Sequence, residues 1–242
     1  LANGEFIKFL DDDDWLASRV LTLELKELRK FNADVCYGSY EAINTKGETI
    51  SKFPQDYPND LIAAILSRSI TTCIFKFSYR HSFIYNLSWS TTTLAQHDLH
   101  FILLVAFHEP NHIPSKVFVG YYRQHSDGYR ESVNVGKAKK SALARLEVTE
   151  TFLKELNNQN KLTNERLLAA ADGLWMSAHL TASSDLKIFD IIFNKIQTLA
   201  PNFLPKRPFY FLSILDRLIN PRRVEYILYP LRYIKKQIKT KK

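Results

Sequence analysis

Apolar and polar positions change their rhythm near residue 135. Before it, short runs of different period alternate. Phe6 to Leu10 is an apolar run ending in acid, which predicts a short buried strand. Leu21, Leu25 and Leu28 recur at helical spacing and predict a helix over about Ala17 to Phe31. Asp34 to Ile43, carrying Val35, Tyr37 and Tyr40, reads as a strand, and Asn44-Thr45-Lys46-Gly47 as a turn. Asp60 is placed to cap a short helix through Leu66. Thr71 to Phe77 is β-branched and aromatic, hence strand-like. Gln96 to Phe107 fits a helix and Lys116 to Arg123 a further strand.

After residue 135 the pattern is helical throughout. Helices are predicted over Ala142 to Leu156, Thr163 to Leu180 and Asp185 to Leu199. Pro201, Pro205 and Pro208 break the chain, and helical segments resume from Tyr210. No reactive constellation stands out in this half. His179 lies among small and apolar residues, where a packed histidine is the plain reading.

Composition narrows the class. With 242 residues, 45% apolar and only 7 glycines, the chain can bury a real core and leans toward helix rather than a turn-dense β protein. Two cysteines, Cys36 and Cys73, make neither a disulfide framework nor a thiolate zinc site, so a reducing compartment is expected. No apolar run reaches the ~18–20 residues that spanning a bilayer needs. The formal charge of +8 is uneven: Pro201 to Lys242 carries 11 Lys/Arg against 2 Asp/Glu, so the first 200 residues are close to neutral. This is a basic tail on an otherwise balanced chain. No RNA- or DNA-binding signature accompanies it, and no nucleic-acid partner is expected.

The chemistry-bearing feature is Asp11-Asp12-Asp13-Asp14, between the first strand and Trp15. Four adjacent carboxylates repel one another, and a hard divalent cation with oxygen ligands relieves that penalty. On an extended strand end, Asp11 and Asp13 would point to one side and Asp12 and Asp14 to the other. The plainer alternative is a solvated acidic turn that caps the next helix.

The run Ala2-Asn3-Gly4-Glu5-Phe6-Ile7-Lys8-Phe9-Leu10-Asp11-Asp12-Asp13-Asp14-Trp15 resembles the middle of a family 2 glycosyltransferase of the GT-A fold: a small-residue-Gly-Glu segment, a strand Phe/Ile-x-Phe-Leu, then Asp-x-Asp. Asn32 to Tyr40 is similar to the strand after the next helix, and Ile70 to Lys76 to the segment near the acceptor site. Gln96-His97-Asp98-Leu99-His100-Phe101 resembles the Glu/Gln-Asp-x-Asp/Glu-Phe segment that carries the catalytic base. Tyr121-Tyr122-Arg123-Gln124-His125-Ser126 resembles the late Tyr-Arg-x-His element. The likeness covers about residues 1–135. It departs at His97 and His100, which stand where acidic or amide residues are more usual.

The resemblance implies an α/β fold, the C-terminal half of a GT-A (Rossmann-like) glycosyltransferase domain, over 1–135. A helical extension with a basic tail follows over 136–242. It also implies that the nucleotide-binding strands lie upstream of Leu1, so that the sequence reads as an N-terminally truncated fragment. The implied activity is metal-dependent, inverting transfer of a sugar from a nucleotide-sugar donor to an acceptor hydroxyl, in cell-envelope polysaccharide or glycolipid synthesis. The donor side would be met by Asp11, Asp12, Asp13 and Arg123. Mg²⁺ or Mn²⁺ would be held by Asp11, Asp13 and His125, and Asp98 would be the base. The acceptor would be a glycan or glycolipid.

Three further readings come from the residues. Trp89 suits either a sugar-stacking platform or a core position. Tyr226, Tyr229 and Tyr233, with Leu228, Leu231, Ile234 and Ile238, alternate with Arg232, Lys235, Lys236 and Lys239. That is a basic amphipathic helix, interrupted at Pro230, suited to peripheral contact with an anionic membrane from the cytoplasmic side. The competing class is a non-catalytic remnant, a membrane-surface or partner-binding helical module. A phosphohydrolase of the haloacid dehalogenase type is disfavoured, because Trp15 stands where its motif wants Thr or Val.

Overall fold

A computed structural model describes residues 2–55, 57–91, 95–124 and 135–240, with side chains from residue 138 onward in the first helix after the gap and up to residue 232 in the last. The chain forms two compact units. One comprises Leu1–Ile65, Ser69–Thr92 and His97–Arg130, and the other Leu66–Arg68, Thr93–Gln96 and Glu131–Lys242.

The first unit is built on a mixed sheet. Its strands are β1 (Phe6–Lys8), β2 (Trp15–Leu16), β3 (Val35–Asn44), β4 (Thr49–Phe53), β5 (Phe77–Arg80) and β6 (His112–Gln124). The order is β1-β5-β3-β6-β2, with β4 on β3. Among the described residues only β3 and β6 pair in parallel; the other pairs are antiparallel. The β3–β4 hairpin turns where the sequence predicts. Asn44 Oδ1 accepts from the amides of Lys46 and Glu48 at 2.9 Å each, and Gly47 takes a φ of 81° that a side chain would resist.

Helix α1 (Val20–Lys30) lies where the leucine repeat predicts it, but buries a different edge. Val20, Glu24 and Leu28 are buried at four-residue intervals, whereas Leu21 is 49% exposed. The reason is electrostatic. Lys8 of β1 sits opposite Ser78 of β5. Lys8 Nζ lies 2.8 Å from Glu24 Oε2, and Ser78 Oγ donates to the same oxygen at 2.8 Å. Burial pushes the Lys8 ammonium down and the Glu24 carboxyl up, and their mutual attraction opposes both shifts. A buried carboxylate with matched donors rotates the helix against its leucine pattern.

Helix α2 (Leu61–Ser67) starts as expected, with Asp60 Oδ1 accepting from the Ala63 amide at 2.9 Å. The strand expected over Thr71–Phe77 is instead a short 3-10 turn, Ile74–Lys76, leading into β5. The Lys76 amide bonds to the Cys73 carbonyl at 3.1 Å, and the turn sends Phe75 edge-on against Tyr40 at 5.5 Å. A brief helix α3 (His81–Ile84) follows β5, and α4 (His97–Phe107) precedes β6.

The second unit is helical: α5 (Val135–Asn158), α6 (Asn164–Ala182), α7 (Leu186–Leu199), α8 (Tyr210–Ile219) and α9 (Pro221–Thr240). Thr163 and Asp185 cap α6 and α7 by accepting from amides in the first turn. Gly173 in α6 permits a close approach, since a Cβ there would fall 1.8 Å from the Leu66 carbonyl oxygen. The core gathers Trp175, Phe189, Phe193 and Phe203, with Leu174, Ile192 and Ile196. Helix α9 runs through Pro230 rather than breaking there. No helix among the described residues is long and apolar enough to cross a membrane.

A buried ion network ties the last two helices to α6. Arg207, 1% exposed, donates to Asp216 of α8 through Nε at 2.6 Å and Nη2 at 2.7 Å. It also donates to Glu225 of α9, as does Arg232. Nδ1 of His179 lies 3.0 Å from Glu225 Oε1, which gives that histidine a structural place. The Arg207 guanidinium rests 4.7 Å above the Trp175 ring.

Candidate active site

The Asp quartet is a turn, not a strand end. The Asp14 amide donates to the Asp11 carbonyl at 3.2 Å, which folds the segment back on itself. The alternation expected of an extended chain is therefore lost. Ligand oxygens of Asp11, Asp13 and Asp14 come within 4.8 Å of one another. Asp12 is exposed and stays outside that group. Asp14, which strand periodicity assigns to the opposite side, is buried and joins it. Its Oδ1 accepts from the Arg123 amide of β6 at 3.0 Å, fixing the turn to the sheet.

Just beyond the turn, β2 pairs with β6 through Trp15↔Tyr121 and Leu16↔Gly120. That approach needs glycine: a Cβ on Gly120 would lie 2.0 Å from the Trp15 carbonyl oxygen. Trp15 is 49% exposed, and the Arg123 guanidinium lies 4.3 Å from its ring centroid. The side chain of Arg123 is thereby held over an aromatic face while its amide holds Asp14. His125 lies outside the described residues.

Asp98 is a first-turn acid of α4. Its position relative to the quartet is set by aromatic packing. Phe9, two residues before Asp11, meets Phe101, one helical turn after Asp98, edge-on at 5.5 Å. Tyr79 and Trp89 complete the cluster. Trp89 stacks on Phe101 with centroids 4.5 Å apart and planes 7° apart, and is half-buried.

Electrostatics reports the same neighbourhood. Burial, then the charge of Asp11, pushes the Asp98 carboxyl up to about 6, and His97 pulls it down by less. Burial, then Asp13 and Asp12, raises Asp11. The Cys73 thiol is driven up by burial and then by Asp14, Asp98 and Asp11, which makes it a poor nucleophile. Three carboxylates converging within 4.8 Å form a donor set of hard oxygens, suited to a divalent cation.

The architecture has a known counterpart. A crystal structure of S. aureus TarS, residues 1–349, aligns with 93% of this chain at a TM-score of 0.50 and 14% identity. The chain has the fold of TarS, a family 2 glycosyltransferase. It spans 66% of that TarS structure, just under two thirds. TarS in complex with UDP-GlcNAc aligns with 93% of the chain and 68% of its own length, with TM-score 0.41 and 14% identity. TarS in complex with UDP aligns with 90% and 68%, with TM-score 0.39 and 11% identity. No protein-family model and no curated protein matches the sequence. At this identity the likeness to TarS is one of fold, so the roles of individual residues rest on their geometry.

Periodicity missed Asp14 because it presumed an extended backbone. The signal available was the run of four acids itself, which favours a turn over a strand.

Proposed function

We propose that this chain carries the catalytic face of a metal-dependent, inverting glycosyltransferase that moves a sugar from a nucleotide-sugar donor to a hydroxyl of a glycan or glycolipid acceptor. The observation that carries this reading is the meeting of Asp11, Asp13 and Asp14 within 4.8 Å, with Asp98 close enough for Asp11 to disturb its ionisation. The fold shared with TarS supports the class, and TarS in complex with UDP-GlcNAc supports a nucleotide sugar as the donor.

When bound by Asp11, Asp13 and Asp14, Mg²⁺ or Mn²⁺ supplies the positive charge that a departing nucleoside diphosphate requires. The chain's own residues do the rest. Asp14 keeps the turn in register with β6 through the Arg123 amide. The Arg123 guanidinium, resting on Trp15, offers planar donors to a phosphate oxygen. Asp98 accepts the proton of the acceptor hydroxyl, and its raised pKa brings it nearer the range useful to a general base at neutral pH. With the base and the leaving group on opposite sides of the sugar, direct displacement inverts the anomeric carbon.

A chain acting only as a helical docking module would have no use for this repulsive cluster, whose cost a cation removes. The test is release of nucleoside diphosphate from a nucleotide sugar by the full encoded protein with Mn²⁺. Turnover should vanish in Asp13→Ala and fall steeply in Asp98→Asn. Turnover that persists in Asp13→Ala refutes the reading.

A further inference from the structure

Helix α8 is amphipathic in an unusual sense, because it presents an apolar stripe to water. Leu212 and Asp216, four residues apart, are its buried positions. Phe211, Ile214 and Leu218, at spacings of three and four, fall on another side and are 58%, 41% and 72% exposed. Ile227 and Leu231 add exposed apolar surface on α9. An exposed apolar stripe of this kind marks an interaction surface.

The charge around the stripe says what covers it. Residues 201–242 hold two acids, Asp216 and Glu225. Both are buried, and both are consumed by the internal network with Arg207, Arg232 and His179. No acid of this segment is left to face solvent, while Arg217 and Arg223 are exposed and have no acid partner among the described residues. Arg222 reaches outside the segment, to Asp190 of α7 at 2.8 Å. An open cleft of about 830 Å³ lies where α8 ends and α9 begins, and its walls include Leu204, Leu218, Arg217 and Arg223. Arginines beside apolar side chains, in a space large enough for a phosphodiester group, match the layered chemistry of an anionic bilayer surface: phosphate above, acyl chains below.

We propose that the α8–α9 face docks on an anionic phospholipid surface, with the Phe211–Leu218 stripe entering the interface and Arg217 and Arg223 meeting headgroup phosphates. The sequence puts membrane contact on the tyrosine-rich part of α9, whose side chains from residue 233 onward lie outside the described residues; the contact proposed here starts from α8. Stable surface binding needs both an apolar and an electrostatic signal, and this face carries both. The proposal does not depend on the glycosyltransferase reading.

Co-sedimentation of the full chain with vesicles of phosphatidylglycerol and phosphatidylcholine, against pure phosphatidylcholine, tests it. Wild type should partition at least about tenfold more strongly to the anionic vesicles, and less as salt rises. Arg217→Glu with Arg223→Glu should cost about tenfold or more, and Phe211→Ser with Leu218→Ser should remove binding. All four side chains are exposed, and circular dichroism checks that the fold is kept. Leu168→Ser with Leu180→Ser, exposed apolar positions on α6 (54% and 63%), should bind as wild type does. Equal binding to neutral vesicles, no binding at all, or equal loss in the α6 variant overturns the proposal. So does a wild-type oligomer that dissociates in the Phe211→Ser, Leu218→Ser variant, which would make a second copy the occupant.

Discussion

Phe9 and Phe101 meet edge-on with ring centroids 5.5 Å apart, and this contact joins the segment that leads into the Asp quartet to the helix that carries Asp98. Phe101 is 1% exposed, so Phe101→Ala should destabilise the fold by about 3–5 kcal/mol, read from urea unfolding. Phe9 is only half-buried, and Phe9→Ala should cost less. Both variants should also weaken Mn²⁺ affinity if the packing sets the cluster. Unchanged affinity in a folded Phe9→Ala variant would show that the quartet is positioned without it.

The Asp98 carboxyl should titrate near 6 in the cation-free chain, followed by carbon-detected NMR. Burial is the main cause and Asp11 the second, so Asp11→Asn should move the midpoint down, toward the ordinary carboxylate range. As a base Asp98 works only when ionised, so turnover should rise with pH through its midpoint, which in the cation-loaded protein should lie below that of the cation-free chain because the cation offsets the Asp11 charge. Asp98→Asn should lower turnover by about 10²–10⁴ and leave the donor KM nearly unchanged.

Titration calorimetry with Mn²⁺ should separate the four aspartates. Asp11→Asn, Asp13→Asn and Asp14→Asn should each weaken binding by about tenfold or more, because each removes one charge from the donor set. Asp12→Asn should bind much as wild type does, since Asp12 lies outside the group. Asparagine at position 14 can still accept from the Arg123 amide, so its loss of affinity would report charge rather than a displaced turn. An Asp12→Asn variant weaker than Asp14→Asn would reverse the assignment.

Glu225 should control acid stability. Burial pushes its carboxyl up, but hydrogen bonds from His179, Arg232 and Arg207 outweigh burial and bring it down to about 2. Its contribution is therefore complete above the unfolded value near 4.5 and is lost as pH falls from there toward 2. The size is on the order of 3 kcal/mol. Glu225→Gln should cost about 3–5 kcal/mol near neutral pH, because it leaves Arg207 short of a buried partner. The melting temperature of that variant should also depend less on pH between about 4.5 and 2. A wild-type melting temperature that stays flat across this window would refute the prediction.

Local chemistry was legible in the sequence where it acts within a few residues. The Asn44–Gly47 turn and the cap at Asp60 need only a side-chain oxygen and a nearby amide, and the helix starts expected at Thr163 and Asp185 are caps of the same kind. The Asp quartet stood out by composition, since adjacent like charges carry a cost wherever the chain puts them. Tertiary structure decided what depends on partners far along the chain. Which edge of α1 turns inward depends on Lys8, 16 residues away. Whether Asp14 stands with Asp11 depends on an amide at Arg123, 109 residues on. The two acids of the basic tail disappear from the surface because Arg207 and Arg232 reach them inside the fold. Hydrophobic periodicity records which side chains prefer to leave water. It does not record which buried charges will find each other, and those pairings fixed both the site and the cationic face.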